Sequence, residues 1–237
     1  PRRIGQEVLL LNNTDLAAIL ARQWPSDFER LQSSLPAFTL ILVVSGLLRR
    51  PEEKIKYEKA LLTQIVREEF SGFDLHDNLP GFPGLSNKLL SILRNPWPSD
   101  SPHWKNRIKG ASQSLFFHTR PLKSGHFVNK VKEIANAHGY PGKEIGIYIQ
   151  PIEHNRACRI EFSFFYSPEN ANEVAMVRSL YKEAATELLK DGAVFTRPYG
   201  DLAPIVYEKA ASYATHLRRL KKVFDPNNIM NPSNLCF

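Results

Sequence analysis

Cysteine and methionine are scarce in this sequence of 237 residues, which holds two of each. The two cysteines, Cys158 and Cys236, lie far apart and form no CxxC or Cys/His pattern, so neither a disulfide framework nor a zinc site is predicted. GxGxxG, P-loop, GxSxG and HExxH motifs are also missing from the sequence. The chain therefore has no self-contained nucleotide-binding, serine-nucleophile or zinc-hydrolase motif.

Long apolar runs and dense blocks of one charge are absent as well. The longest apolar run, residues 38–48, has about half the length that a membrane-spanning helix needs and is typical of a buried strand. The net charge of +7 is spread along the chain, which favours a solvated surface over a nucleic-acid partner. The start at Pro1 has no initiator Met and no signal-peptide pattern, so we expect a cut inside a longer, cytoplasmic protein.

The order of apolar runs predicts an α+β fold with two α/β halves. Residues 1–72 have a β-α-β order that ends in a helix from Pro51 to about Phe70. An irregular, partly helical excursion rich in Gly and Pro follows over residues 73–109. Residues 110–200 form the second half, so residues 1–200 are assigned to one domain and residues 201–237 to a helical tail.

The second half has the pattern of a ferredoxin-like β-α-β-β-α-β unit. The predicted strands are residues 112–119, 145–150, 158–165 and 193–196, and the predicted helices are residues 125–137 and 171–190. Side chains alternate along the central hairpin, so we expect a large antiparallel sheet with its helices on one face. The other face would carry Tyr148, Gln150, Arg159 and Glu161, either in solvent or over a ligand.

The tail has the most specific pattern in the chain. Residues 217–237 read LRRLKKVFDPNNIMNPSNLCF, and this segment resembles the closing signature K-x-x-F-D-P-N-x-I-x-N-P-x-x-x-C-F of the FAD-linked oxidases similar to vanillyl-alcohol oxidase and p-cresol methylhydroxylase. Three other stretches agree with this resemblance, namely IGIYIQP, RACRIEF and GAVFTRPYG. The resemblance implies that residues 1–200 form the cap or substrate domain of such an enzyme, with its sheet over the isoalloxazine ring.

The same resemblance implies a partner. FAD would be bound mainly by a flavin-binding domain, N-terminal in the same protein or in a separate chain, and residues 201–237 would pack on that domain. A small-molecule substrate and a possible homodimer are also implied. The chain alone is then expected to be inactive.

The resemblance also suggests site residues. Arg197 stands at the arginine of a Tyr-Arg pair that holds the substrate phenolate in the phenol-oxidising members and supports charge on the reduced flavin. Thr196 stands at the tyrosine position, so the sequence departs from the pattern there, and Tyr199 is the nearby replacement. The candidate catalytic residues are therefore Arg197, Tyr199 and Tyr148, and the candidate substrate-binding residues are Gln150, Thr196, Glu161 and Arg159.

Some candidates have equally simple structural explanations. Asn228 and Asn231 are candidate cofactor contacts, although asparagine is also favoured in turns. Tyr148 and Gln150 are explained equally well as solvated side chains. Related hydroxy-acid dehydrogenases carry a His-x-Gly-Asp-Gly-Asn-x-His metal motif, of which only the first histidine, His154, is present, so no metal site is predicted.

Two classes of function remain open from the sequence. The first is the substrate-side portion of an FAD-dependent oxidoreductase that oxidises a small alcohol, phenol or hydroxy compound by hydride transfer to flavin. The second is a non-catalytic α+β interaction or regulatory domain that kept the fold without the flavin partner.

Overall fold

The computed structural model describes residues 4–82, 84–94, 102–232 and 235. Its strands are β1 (Glu7–Asn12), β2 (Phe38–Val43), β3 (Ala111–Thr119), β4 (Ile145–Ile152) and β5 (Ala157–Tyr166). Its α-helices are α1 (Asn13–Leu20), α2 (Ser26–Ser34), α3 (Pro51–Glu69), α4 (Leu85–Arg94), α5 (Ser124–Ala137), α6 (Ala171–Lys190), α7 (Leu202–Lys209) and α8 (Ala211–Phe224). The predicted α+β class is confirmed. The strands predicted at residues 112–119, 145–150 and 158–165 and the helices predicted at residues 51–70, 125–137 and 171–190 are present.

All five strands form one antiparallel sheet in the order β2-β1-β4-β5-β3. β1 joins the hairpin through the Cα pairs Leu10–Ile149 and Leu11–Tyr148. Asn12 strengthens this junction, because its side chain donates to Ile145 O at 2.8 Å and accepts from Ile147 N at 2.9 Å. Strands from both predicted halves therefore share one sheet, while the division at residue 200 stays a prediction.

The first face of the sheet carries the larger core. The apolar positions of β3, β4 and β5 point to this face and pack against α5 and α6, the helices that the sequence predicted for it. Phe117 contacts both Phe127 of α5 and Phe195, with ring centroids 5.0 and 5.6 Å apart. Burial of this side of the sheet is the main apolar contribution to folding.

The second face is not left uncovered, so the prediction of helices on one face only is wrong. Apolar residues of α1, α2 and the 3₁₀ turn Trp104–Asn106 form a second core here, around Leu11 and Phe165. α1 is short and almost wholly buried, and its N-cap residue Asn12 accepts from Asp15 N at 3.0 Å. These elements cover one end of the face and leave the polar end of β4 and β5 half-buried.

The predicted strand at residues 193–196 is also wrong. Only one isolated bridge forms there, between Val194 and His118 of β3. Gly192 (φ 91°) reverses the chain just before the bridge, and Pro198, which has no N–H to donate, follows it. The β-α-β-β-α order of the second half therefore ends in a bridge rather than a fourth strand.

The C-terminal segment continues from the first core. Leu202 of α7 is buried in that core, and Arg178 of α6 forms an ion pair with Asp201 at 2.8 Å. α8 then runs to Phe224 and leaves several apolar side chains exposed, among them Leu220, Val223 and Phe224. No helix among the described residues is long and apolar enough to cross a membrane.

Candidate functional site

The polar side chains that the sequence predicted on β4 and β5 do lie together on the second face. Tyr148 faces Glu161 across the hairpin, and Gln150 faces Arg159. Because side chains alternate along a strand, the four share one side of the sheet. They form the half-buried end of that face, beyond the part that α1 and α2 cover.

A charged cluster of Lys105, Arg159 and Glu161 is the centre of this region. Glu161 accepts a hydrogen bond from Lys105 Nζ and another from Arg159 Nη2 at 2.7 Å. Lys105 Nζ also lies 3.1 Å from Ser114 Oγ on β3. Burial acts to raise the pKa of Glu161, but Lys105 and Arg159 outweigh it and hold that pKa below its usual range. The carboxylate is therefore ionised and shared between two cations.

Lys105 is the member of the cluster that the sequence did not predict. It comes from the 3₁₀ turn Trp104–Asn106 within the irregular excursion, and its Nζ lies 5.3 Å from the centroid of the Trp104 ring. A lysine beside a tryptophan in a proline-rich stretch gives no periodic signal. Only the fold shows that the turn folds back over β3 and β5.

The side chain of Arg159 packs over the ring of Phe116. Its guanidinium carbon lies 4.6 Å from the centroid of the Phe116 ring on β3, a distance at which a cation is attracted to the ring face. Within the described part of the chain, the bond to Glu161 is the one hydrogen bond that its guanidinium makes, and its Nε is buried without an acceptor. The guanidinium therefore has donors left for another acceptor.

Tyr148 and Gln150 are hydrogen-bonded to each other. The Tyr148 hydroxyl donates to Gln150 Oε1 at 3.0 Å, across the two-residue repeat of β4. Burial raises the pKa of Tyr148 to about 12, with Glu161 adding to the rise and Arg159 opposing it. Tyr148 is thus a neutral hydroxyl at physiological pH, and the amide of Gln150 fixes its direction.

A buried carboxyl group, that of Asp15 on α1, lies against β4 and β5 near this region. The sequence did not predict it as part of a site. Asp15 is 1% exposed, and neither carboxyl oxygen has a hydrogen-bond partner among the described residues. Burial raises its pKa to about 7, with Lys105 opposing the rise and Glu161 adding to it. An acidic residue in the first turn of a helix ordinarily indicates an exposed N-terminus, so the pattern pointed away from burial.

Arg197, Thr196 and Tyr199 lie on a separate, exposed segment. Val194 bridges His118, and His118 faces Arg159 across β3 and β5. Val194, His118, Arg159 and Gln150 thus lie side by side across the sheet, and Arg197 comes three residues after Val194 in the chain. Within the described ranges no hydrogen bond or ion pair joins Arg197 to the charged cluster, so the catalytic role of Arg197 stays a prediction.

Asn228 and Asn231 occupy turn positions in the tail. Both have left-handed backbone conformations, with φ of 51° and 47°, which asparagine tolerates better than most residues. Asp225 organises this turn by accepting from Ile229 N at 2.9 Å and Met230 N at 2.8 Å. The tail signature thus forms a turn that Asp225 holds in place. A contact of the two asparagines with a cofactor stays a prediction.

His154 lies in the connection between β4 and β5. Three successive residues there, Glu153, His154 and Asn155, have left-handed φ values between 49° and 63°. In the parts of the chain that the structure describes, no group of three or more His, Cys, Asp or Glu side chains could hold a metal ion.

Comparison with known proteins supports the resemblance found in the tail. Residues 203–235 match the family of FAD linked oxidases, C-terminal domain. The fold is similar to that of p-cresol methylhydroxylase with substrate bound, at 16% identity and a TM-score of 0.59 over 94% of this chain and 45% of that chain. It is also similar to a 4-ethylphenol oxidase from Gulosibacter chungangensis in complex with isoeugenol, at 14% identity and a TM-score of 0.66 over 95% of this chain and 46% of that chain.

These findings give a family resemblance in the tail and a shared fold. The tail is similar to the C-terminal domain of FAD linked oxidases, and the chain shares its fold with the two solved structures. The chain spans less than half the length of the two enzymes to which its fold is similar. No curated protein matches the sequence.

Proposed function

We propose that the chain is the substrate-side portion of an FAD-dependent oxidoreductase that oxidises a small alcohol, phenol or hydroxy compound. Residues 1–200 would cover the substrate, and the tail of residues 201–237 would pack on a flavin-binding domain in the same protein or in a second chain. The matched family and the shared fold support this assignment. The observation that carries it is the half-buried second face with Tyr148, Gln150 and the charged cluster.

The residues of this face suit the ring end of FAD and a small substrate rather than the phosphates. They offer a neutral hydroxyl, an amide and a guanidinium beside aromatic rings. The described loops have no run of glycine N–H groups of the kind that cradles a pyrophosphate. When bound, FAD would supply the chemistry by accepting a hydride from the carbon that is oxidised.

The remaining work belongs to the side chains of this chain. The Tyr148 hydroxyl, directed by Gln150, would orient the substrate oxygen by a hydrogen bond. Arg159 would hold the polar end of the substrate, and Glu161 would fix the position of Arg159. Arg197 and Tyr199, with Thr196 beside them, would stabilise negative charge that develops on the substrate oxygen, since a guanidinium keeps its proton and offers several donors.

The proposal is tested on the protein expressed from its complete reading frame. We expect the purified protein to show a flavin absorption spectrum and to be bleached under anaerobic conditions by at least one member of a panel of benzylic alcohols, 4-alkylphenols and hydroxy acids. A full-length protein that neither binds FAD nor has a flavin-binding partner chain would contradict the proposal and favour the non-catalytic alternative.

A further inference from the structure

The charged cluster has an excess of positive charge. Lys105 and Arg159 are opposed by a single carboxylate, that of Glu161. The neighbouring acidic groups do not balance this excess. Tyr148 keeps its proton, and Glu7 is paired with Arg94. Burial keeps Asp15 protonated below its pKa of about 7. A half-buried site with a net charge of one sign favours an occupant of the opposite sign, because low-dielectric surroundings strengthen the attraction.

The two cations of the cluster are not equivalent. Lys105 and Glu161 have side chains that are each 13% exposed, whereas the side chain of Arg159 is 36% exposed. Lys105 is also engaged with Ser114, while the guanidinium of Arg159 makes one hydrogen bond within the described residues. Arg159 is thus the cation that an incoming molecule can reach, and Lys105 keeps Glu161 from neutralising it.

The surroundings of Arg159 also restrict the shape of the occupant. The ring of Phe116 packs against the guanidinium and limits its movement. Its Nε–H is buried, so an incoming molecule would bind the terminal N–H groups of the guanidinium. A planar oxyanion with two oxygens can bind two donors of a guanidinium at once, which a single hydroxyl cannot do.

We infer that the substrate carries a carboxylate or a similar planar oxyanion, which is bound by Arg159 at the charged cluster. The inference rests on the proposed function, because it names the charge of the molecule that this face would hold. Arg159 determines the charge preference, and Glu161 and Lys105 are positioning residues. Neutral alcohols and uncharged phenols are then the weaker ligands of this site.

The test compares benzoate with benzamide, which has the same shape and no charge. Both would be titrated into the oxidised full-length protein by calorimetry at low ionic strength and at a pH near 6, which lies below the pKa of about 7 of Asp15. We expect benzoate to bind at least ten-fold more tightly than benzamide. Arg159→Gln should bring the two dissociation constants within three-fold of each other, whereas Arg67→Gln, a matched change at an exposed arginine of α3, should leave the preference unchanged.

Equal binding of benzoate and benzamide by the wild-type protein would overturn the inference, and so would a preference that survives in Arg159→Gln. If Arg159→Gln does not fold, Arg159→Lys takes its place and should lose part of the preference, because a point charge cannot bind both oxygens as a fork does. Failure of the oxyanion site and failure of the proposed reaction give different results. A preference for benzoate in a protein whose flavin no member of the panel reduces would support the oxyanion site and contradict the proposed reaction.

Discussion

Gly146 of β4 is the position where the structure predicts the sharpest effect of a single methyl group. A Cβ atom built at Gly146 would lie 2.0 Å from Asp15 Oδ1, 2.8 Å from Asp15 Cγ and 3.0 Å from the Cβ of Ser163. The carboxyl group of Asp15 thus occupies the space of the missing side chain. Gly146→Ala requires Asp15, and with it α1, to move away from the sheet.

The magnitude follows from two opposed terms. Alanine in a strand is favoured over glycine by roughly 0.5–1 kcal/mol, because a chain with alanine at this position loses less conformational entropy on folding than a chain with glycine. Overpacking a buried site costs about 1–3 kcal/mol, and here the obstacle is the buried Asp15 carboxyl on α1, a helix almost wholly buried itself. The clash is larger, so we expect Gly146→Ala to lower the free energy of unfolding by roughly 1–2 kcal/mol.

The reasoning is tested by a double-mutant cycle in urea or guanidinium unfolding of the full-length protein. Asp15→Ala removes a carboxyl without a partner, so alone it should cost little, and in the Gly146→Ala background it should restore most of the lost stability. Gly125→Ala serves as the matched control, because a Cβ there meets nothing within 4 Å. Wild-type stability of Gly146→Ala, or additive effects of the two changes, would refute the packing account.

Three further predictions concern Asp15, Arg197 and the tail. The pKa of Asp15 is about 7 in the folded protein and 3.8 in the unfolded chain, so the folded protein binds the proton more tightly. The wild type should therefore lose stability relative to Asp15→Asn as the pH rises from 3.8 to about 7, and the difference should be constant at higher pH. Unfolding titrations at several pH values measure this difference. Arg197→Ala should lower the rate of flavin reduction ~100–1000-fold without loss of folding, with partial recovery in Arg197→Lys, and stopped-flow traces at the wild-type rate would make Arg197 structural. Asp225→Ala should increase hydrogen exchange at the amides of Ile229 and Met230, because both donate to this carboxylate; unchanged exchange would contradict the turn geometry.

The strands and helices were predictable because their periodicity is local. The alternation in β4 and β5 identified the side chains of the second face, and the apolar stripe of α6 gave both of its ends. Residues 193–196 misled the prediction because a short β-like run between Gly192 and Pro198 has room for only one bridge. Local pattern says nothing of whether a neighbouring strand is long enough to pair with it.

The packing of the second face could not be predicted from local sequence patterns. The β-α-β order of residues 1–72 was predicted, but nothing in the sequence says on which side of the sheet its helices pack. Lys105 and Asp15 reach the site only through that tertiary arrangement, so neither could be identified from spacing. Tyr148, Gln150, Arg159 and Glu161 were identifiable because they alternate along two strands that pair with each other.

The central claim is that the second face of the sheet is the substrate side of a flavin enzyme. Its most direct test is the anaerobic reductive half-reaction of the full-length protein, measured by stopped-flow absorbance with the best substrate from the panel. Glu161→Gln removes the carboxylate that positions Lys105 and Arg159, whereas Glu133→Gln makes the same change at an exposed residue of α5 on the opposite face. We predict that Glu161→Gln lowers the second-order rate constant for flavin reduction at least ten-fold and that Glu133→Gln leaves it unchanged. Equal rate constants for the wild type and both variants would contradict the claim.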